Sequence, residues 1–302
     1  MRPFHSGWLQ AELYPHKTHP HSEIYLHRPD NQAPPVPYTL RPPPQGDGLT
    51  GRLYVPQVTS VRLNFPELSA VVESSSGFVN SSPDLDFVDR RLHLARQLRQ
   101  RLYPSFDVQI LRRFLDVAPE GMALYYDYPA VRKIQLGNLE IPTDRESGVL
   151  INYRSGRSGF PVVSAADLLA DRASPGIFQG KIVLIGTAAI GIGDIHATPL
   201  GLTPGVEIHA HLLDTLLTGR QIRSSALVDC GWILLFGMGV PVLLALLPRR
   251  RLWTTTGAAW LLFVAICYAA MTWNYWVNMT VPTSVLVAGL LVAIPRDPSD
   301  RR

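Results

Sequence analysis

Residues 180–219 read GKIVLIGTAAIGIGDIHATPLGLTPGVEIHAHLLDTLLTG. The run Ile182-Val183-Leu184-Ile185 lies between Gly180 and Gly186, and four aliphatic residues between glycines predict a buried strand. A loop of glycines and small residues follows, and then a helix. Thr203 is the expected N-cap, and Pro204 suits a first helical turn, where its missing N–H would have no intrahelical partner. Val206, Ala210, Leu213 and Leu217 recur at helical spacing, and Gly219 stops the run.

The chain upstream repeats this alternation. Val55-Pro56-Gln57-Val58 and residues 61–65 read as an edge strand, because proline cannot donate to a ladder. Residues 67–73 suit a short helix, and Gly77-Phe78-Val79-Asn80 a strand that ends in the turn formers Ser81-Ser82-Pro83-Asp84. Residues 85–102 fit either a helix (Leu85, Val88, Leu92, Ala95, Leu102) or a strand over 88–94. Residues 105–116 form a cleaner helix, with Ser105 as cap and Phe106, Ile110, Leu111 and Phe114 on one face. Residues 131–136 and 149–153 read as strands, and Ser164 with Asp167 makes a capping box for a helix over 164–170. Strands alternating with helices predict an α/β domain around a mixed sheet, over residues 53–226.

Residues 1–52 differ from the rest. Seven prolines lie between Pro29 and Pro44, and five of the nine histidines precede Arg28. This composition predicts an irregular, partly polyproline-like segment. His16, His19 and His21 belong to a solvated tail, since no carboxylate or cysteine completes a metal site with them.

The C-terminal third is membrane-like. No charged residue occurs in residues 230–248 or 252–295. Residues 228–247, 254–273 and 277–294 are each near the ~20 residues needed to cross the hydrocarbon core. They predict a module of three transmembrane helices over 227–295, followed by a cytoplasmic tail, 296–302. Trp232, Trp253, Trp273, Tyr275 and Trp276 sit near the ends, where amphipathic rings favour the interface. Arg249, Arg250 and Arg251 fill one connector, and Arg296, Arg301 and Arg302 the tail, whereas residues 274–278 carry no charge. Positive charge stays in the cytoplasm, so the α/β domain is expected outside the cell (inner) membrane of a multi-pass protein.

The formal net charge is +4, and no basic stripe is interleaved with aromatics, which excludes nucleic acid as a partner. The two cysteines, Cys230 and Cys267, fall in apolar runs and cannot build a disulfide framework in the polar part. The loop GTAAIGIGD lacks the Lys-Ser or Lys-Thr of a P-loop and the spacing of a dinucleotide fingerprint. Its IGIGD is similar to an intramembrane aspartyl protease motif, but Asp194 lies outside the apolar runs. No G-x-S-x-G nucleophile elbow occurs. Asp194, His196, Glu207, His209 and His211 have the chemistry of a metal set, although His209 and His211, two apart on a helix, face different ways. No cofactor is expected. A metal-dependent envelope enzyme using Asp194, His196 and His209 is one alternative function, and a membrane assembly or structural subunit is another.

The ordered motifs GFVNSSPDLDFVDRR, IPTDRESGVLINYR, FPVVSAADLLA, GKIVLIGTAAIGIGD, TPLG and PGVEIHA resemble the CHASE sensor domains of type 2, over residues 61–223. Three spans directly after the domain also resemble that family. The resemblance implies a bacterial receptor whose extracytoplasmic domain detects a small-molecule or envelope signal. The spans would pass it to a cyclase or kinase output module, and no catalysis is expected of this chain. A homodimer is compatible with this plan. The family usually begins with an N-terminal span and the first strands of the domain. Here the Pro/His-rich segment stands in their place, and Arg302 follows the last span without an output domain. The family's Asp-x-Asp-Gly turn stands as Asp84-Leu85-Asp86-Phe87, with phenylalanine for glycine. The resemblance also selects a strand over 90–94. Of the positions matching the family signature, Asn80, Asp84, Asp86, Arg90, Asp194, Thr198, Glu207 and His209 are the ligand candidates; Gly77, Asp144, Gly186, Pro199 and Gly205 match as well.

Overall fold

The computed structural model describes residues 39–41, 53–58, 75–98, 101–154, 159–187, 194–223, 226–235, 252–277, 279–280, 282–284 and 287. The chain divides into two compact units, Met1–Gln221 and Ile222–Arg302.

The first unit begins with β1 (Thr39–Arg41) and β2 (Gln57–Val58). Strands β3 (Arg91–His93), β4 (Ala95–Leu98) and β5 (Arg101–Pro104) lead into helix α1 (Phe106–Phe114). Then come β6 (Met122–Asp127), β7 (Ala130–Leu136), β8 (Leu139–Pro142), β9 (Gly148–Leu150) and the short helix α2 (Ala165–Leu169). The hairpin β10 (Ile195–Thr198) and β11 (Gly201–Pro204) leads straight into α3 (Gly205–Leu217). The expected α/β class holds as a mixed α/β unit, but its strands form several small sheets. The largest has the order β1-β6-β7-β8, a second has β2-β4-β5, and β3-β9 and β10-β11 are separate pairs.

Side-chain alternation explains the largest sheet. In β7, Val131, Ile134 and Leu136 are buried, while Arg132, Lys133 and Gln135 are less so. Lys133 reaches across to Glu140 of β8 at 2.6 Å. Gly137, at φ 56°, and Asn138 close the β7–β8 turn, as a two-residue hairpin requires. The buried faces meet α1 and α3 in one core that includes Leu94, Leu111, Leu124, Ile134, Leu136, Ile141 and Leu212. Burial of each such side chain contributes roughly 2 kcal/mol.

Ser105 caps α1 as expected: its Oγ accepts from the Val108 N–H at 3.3 Å. Phe106, Ile110 and Leu111 are buried, but Phe114 is 47% exposed and the helix also buries Asp107, Gln109 and Arg112. Strand β3 follows the turn where the family resemblance put one. β2 lies at a sheet edge, beside β4. Thr39–Arg41, inside the segment expected to be irregular, pairs in parallel with β6. The expected strand over 61–65 and helix over 67–73 lie outside the described residues.

The opening stretch departs from its reading in three ways. Residues 182–185 are not a strand, because no other strand runs beside them among the described residues. Ile182 and Leu184 pack against the core, whereas Val183 is 45% and Ile185 70% exposed. The segment is held to α3 instead; a Cβ on Gly186 would lie 2.6 Å from Cβ of Val206. Thr203 is not the cap of α3. It lies in β11, and Pro204 occupies the N-cap position with no side-chain bond. Finally, the helix buries Ile208, Leu212 and Leu216 with His211 and Thr215, so of the expected stripe Val206, Ala210, Leu213 and Leu217 only Leu213 is buried.

The second unit contains α4 (Ala226–Leu234) and α5 (Leu252–Thr272). Helix α5 spans about 30 Å at ~1.5 Å per residue, the thickness of a hydrocarbon core. Among the described residues, one helix is long and apolar enough to cross a membrane, over Thr254–Thr272, and little of it is buried. The rest of the expected first span, residues 236–247, and most of the third, 277–294, lie outside the described residues. The start of α4 and the end of α5 share one end of this unit. The Arg223 amide donates to the Asn274 carbonyl at 2.8 Å, and the Trp276 amide to the Arg223 carbonyl at 2.7 Å. Trp232 and Phe263 pack with ring centroids 5.4 Å apart, beside Cys267, Tyr275 and Val277.

Candidate functional site

All the candidate residues but Asn80 fall into two groups. The first is the turn before β3. Arg90 donates to both carboxylate oxygens of Asp86, at 2.8 and 2.7 Å, and to Asp84 at 3.1 Å. The Arg90 guanidinium holds the Asp86 carboxyl down to about 2. Arg91 joins Asp84, at 3.3 Å, to Asp144, at 3.1 Å. Asp144 in turn accepts from the Glu146 and Gly148 amides at 2.9 and 2.6 Å, fixing the loop before β9. Each carboxylate here is matched by a guanidinium or by backbone N–H groups, the economy of a structural knot.

Asn80 lies apart from that knot. Its carbonyl, with that of Ser81 and the Ser82 hydroxyl, accepts from Arg96 at 3.2, 3.3 and 2.8 Å. Arg96 is 2% exposed, and its guanidinium sits 5.1 Å from the centroid of Phe78. Burial lowers its pKa to about 10. Arg96 thus ties the Asn80–Ser82 turn to β4, a role that sequence reading did not assign to it.

The second group surrounds the hairpin β10–β11 and the start of α3. Asp194 anchors both. Its carbonyl accepts the Gly205 amide at 3.0 Å, and its carboxylate lies so close to Gly205 that a Cβ there would meet Oδ1 at 2.5 Å. Thr198 closes the hairpin turn: its hydroxyl bonds Gly201 O at 2.9 Å and Thr203 Oγ1 at 2.8 Å, and it accepts from the Leu200 amide at 3.1 Å. Glu207 lies half-buried in the first turn of α3, where a carboxylate complements the helix dipole.

His196, on β10, stands between two carboxylates. Nδ1 is 2.9 Å from Asp89 Oδ2, and Nε2 is 3.2 Å from Asp194 Oδ1. The Asp89 side chain is 2% exposed, that of Asp194 49% and that of His196 32%. The other oxygen of Asp89, Oδ1, is buried without a hydrogen-bond partner. The Asp89 amide also donates to Ala197 O at 2.8 Å, so one residue holds the hairpin through backbone and side chain alike. On α3, His209 Nδ1 meets Asp107 of α1 at 2.9 and 3.1 Å, with the edge of Phe106 beside it. The hydrogen bond to Asp89 raises the His196 pKa more than burial lowers it. Burial depresses His209, but the charge and hydrogen bond of Asp107 together outweigh it and the net direction is up.

Sequence reading named Asp194, His196 and His209 but missed their partners, Asp89 and Asp107. It offered these histidines as metal ligands. The structure instead pairs His196 with Asp89 and Asp194, and His209 with Asp107, and among the described residues no group of three or more His, Cys, Asp or Glu could hold a metal ion. His211, two positions on, faces elsewhere, between the rings of Tyr153 and Phe160.

No curated protein and no solved structure matches the chain. The family model for the CHASE2 domain matches residues 27–247, so it takes in both candidate groups and runs on into the apolar region. CHASE2 domains are extracytoplasmic sensor domains of membrane proteins rather than catalytic ones. This chain therefore belongs to the CHASE2 family of sensor domains.

Proposed function

We propose that the chain is the sensing and membrane-spanning part of a bacterial receptor. Its α/β unit faces the outside of the inner membrane. Three helices carry the state of that unit inward, to a cyclase or kinase output. The chain itself performs no catalysis. The observation that carries this reading is the continuity at the end of the unit. Helix α3, pinned to α1 through His209 and Asp107, is separated by a short linker from an apolar region containing a membrane-length helix. A change in how α3 is held has a covalent route toward the bilayer. A signal moves such an equilibrium only by its differential affinity for the two arrangements.

The test is a chimera with a cyclase catalytic domain fused behind Arg302. At equal abundance, His209→Ala should change cyclic-nucleotide output severalfold relative to the unaltered chimera. Equal output from the two would sink the coupling.

A second reading, an assembly subunit that docks another envelope protein, has one observation in its favour. Residues 182–187 present Val183 and Ile185 outward and pair with no strand among the described residues. An exposed aliphatic segment without a strand neighbour can be captured as an added strand by a second chain.

A further inference from the structure

The geometry points to the proton as the signal this domain reads, with His196 as the group that takes it up and the β10–β11 hairpin as the element it holds. The inference rests on the sensor reading above.

The donor count carries it. A neutral imidazole has one N–H; only the imidazolium donates from both ring nitrogens. Both nitrogens of His196 face carboxylate oxygens, which are acceptors when ionised, so the two bonds at 2.9 and 3.2 Å describe the protonated ring. The buried carboxylate depends on that charge. Asp89 has one oxygen without a partner and the other on His196, and an ionised group so far from water is costly once its cation is gone. Access is provided for as well, since His196 and Asp194 are partly exposed while Asp89 is not. Protons from solvent therefore reach a ring whose other end touches a buried charge.

The groups around His196 all bear on this. Asp89 faces it from the segment before β3, and Asp194 from the start of β10. From α3, His209 opposes it as a second cation, itself paired with Asp107 of α1. The Tyr153 hydroxyl donates to the Asp89 carbonyl at 2.7 Å, and burial, helped by the charge of Asp89, keeps that phenol neutral. Arg90 is occupied by Asp84 and Asp86.

The sign follows from the direction of the shift. The folded-state pKa of His196 lies above that of free imidazole, ~6.5. The clamp is thus complete below the unfolded value and is lost as pH rises through the folded one. Acid completes both bonds and sets a cation against buried Asp89; loss of the proton removes the Nε2 bond to Asp194 and that cation, leaving at most one neutral N–H on Asp89, and so loosens the hairpin together with the N-terminal end of α3 that it leads into. His209 shifts in the same direction, so the α1–α3 contact loosens over the same side of the scale.

The experiment uses the full chain in detergent. Slow deuterium exchange at the imidazole C2–H, followed by mass spectrometry, gives each histidine's midpoint in the unaltered protein. The expected result is a His196 midpoint above that of a histidine in a short peptide. A midpoint at or below the peptide value overturns the proposal. In parallel, the Asp89 amide, which donates to Ala197, should lose protection across that midpoint, after correction for base-catalysed exchange. The loss should be about tenfold for every pH unit separating the His196 midpoint from the peptide's. In His196→Gln that step should vanish while amides of β6 and β7 stay protected; a step that persists there overturns the proposal too. These outcomes do not depend on which side of the membrane the domain occupies, so their failure is distinguishable from failure of the receptor reading.

Discussion

Phe87 adopts φ 61°, a left-handed conformation, in the turn that Asp84 and Val88 close with a 3.1 Å backbone bond. Its side chain is 80% exposed, so no burial compensates the steric conflict between Cβ and backbone. Phe87→Gly should stabilise the chain by about 1 kcal/mol, read as a higher urea midpoint at unchanged slope. A lower midpoint would show that the phenylalanine makes a contact worth more than the strain. At this scale the sequence was only half legible. Asp84, Asp86 and Arg90 are close together in the chain, and their ion pairs are local. Asp89 looks no different from its acidic neighbours. Its partner His196 is 107 positions away, and no local pattern distinguishes an acid that will be buried from one that will be solvated. Asp107 was hidden for the same reason, since in the first turn of α1 an acid is expected on dipole grounds alone.

Elements were legible where one periodicity dominated. The strand alternation of β7 and the serine caps of α1 and α2 are local signals, and both caps form. The hairpin β10–β11 was not foreseen, because Pro199, Gly201 and Pro204 crowd a ten-residue segment and read as loop. Residues 182–187 failed in the opposite sense. Their aliphatic run signals burial, but a strand also needs a neighbour, and the neighbour is a matter of the rest of the chain. What fixes this segment is its packing on α3 at Gly186. Gly186→Ala would push Cβ into the β-branched Val206, which has little rotamer freedom in a helix, and should cost about 2 kcal/mol in a denaturant titration. If the alanine variant melts like the parent, the segment is not seated there.

At the scale of the whole molecule, the proposed receptor joins a sensor-family unit to a membrane-length helix, with a direction across the bilayer. The family was legible from ordered motifs, and the α/β class from strands alternating with helices. The division into several small sheets was not, since strand order depends on contacts between distant segments. The direction rests on arginine placement: Arg249, Arg250 and Arg251 in one connector and none in the connector at residues 274–278. Within the second unit Arg223 pairs through its backbone with Asn274 and Trp276, which brings the residues before α4 next to those after α5. Orientation by membrane-impermeant maleimide tests the central claim most directly. With Cys230 and Cys267 replaced by alanine, one cysteine is placed at the exposed Tyr128 (Tyr128→Cys) or in the C-terminal tail (Ser299→Cys). The account predicts that intact spheroplasts label the first and that the second labels only after lysis; labelling of the tail without lysis, with Tyr128→Cys protected, would contradict it.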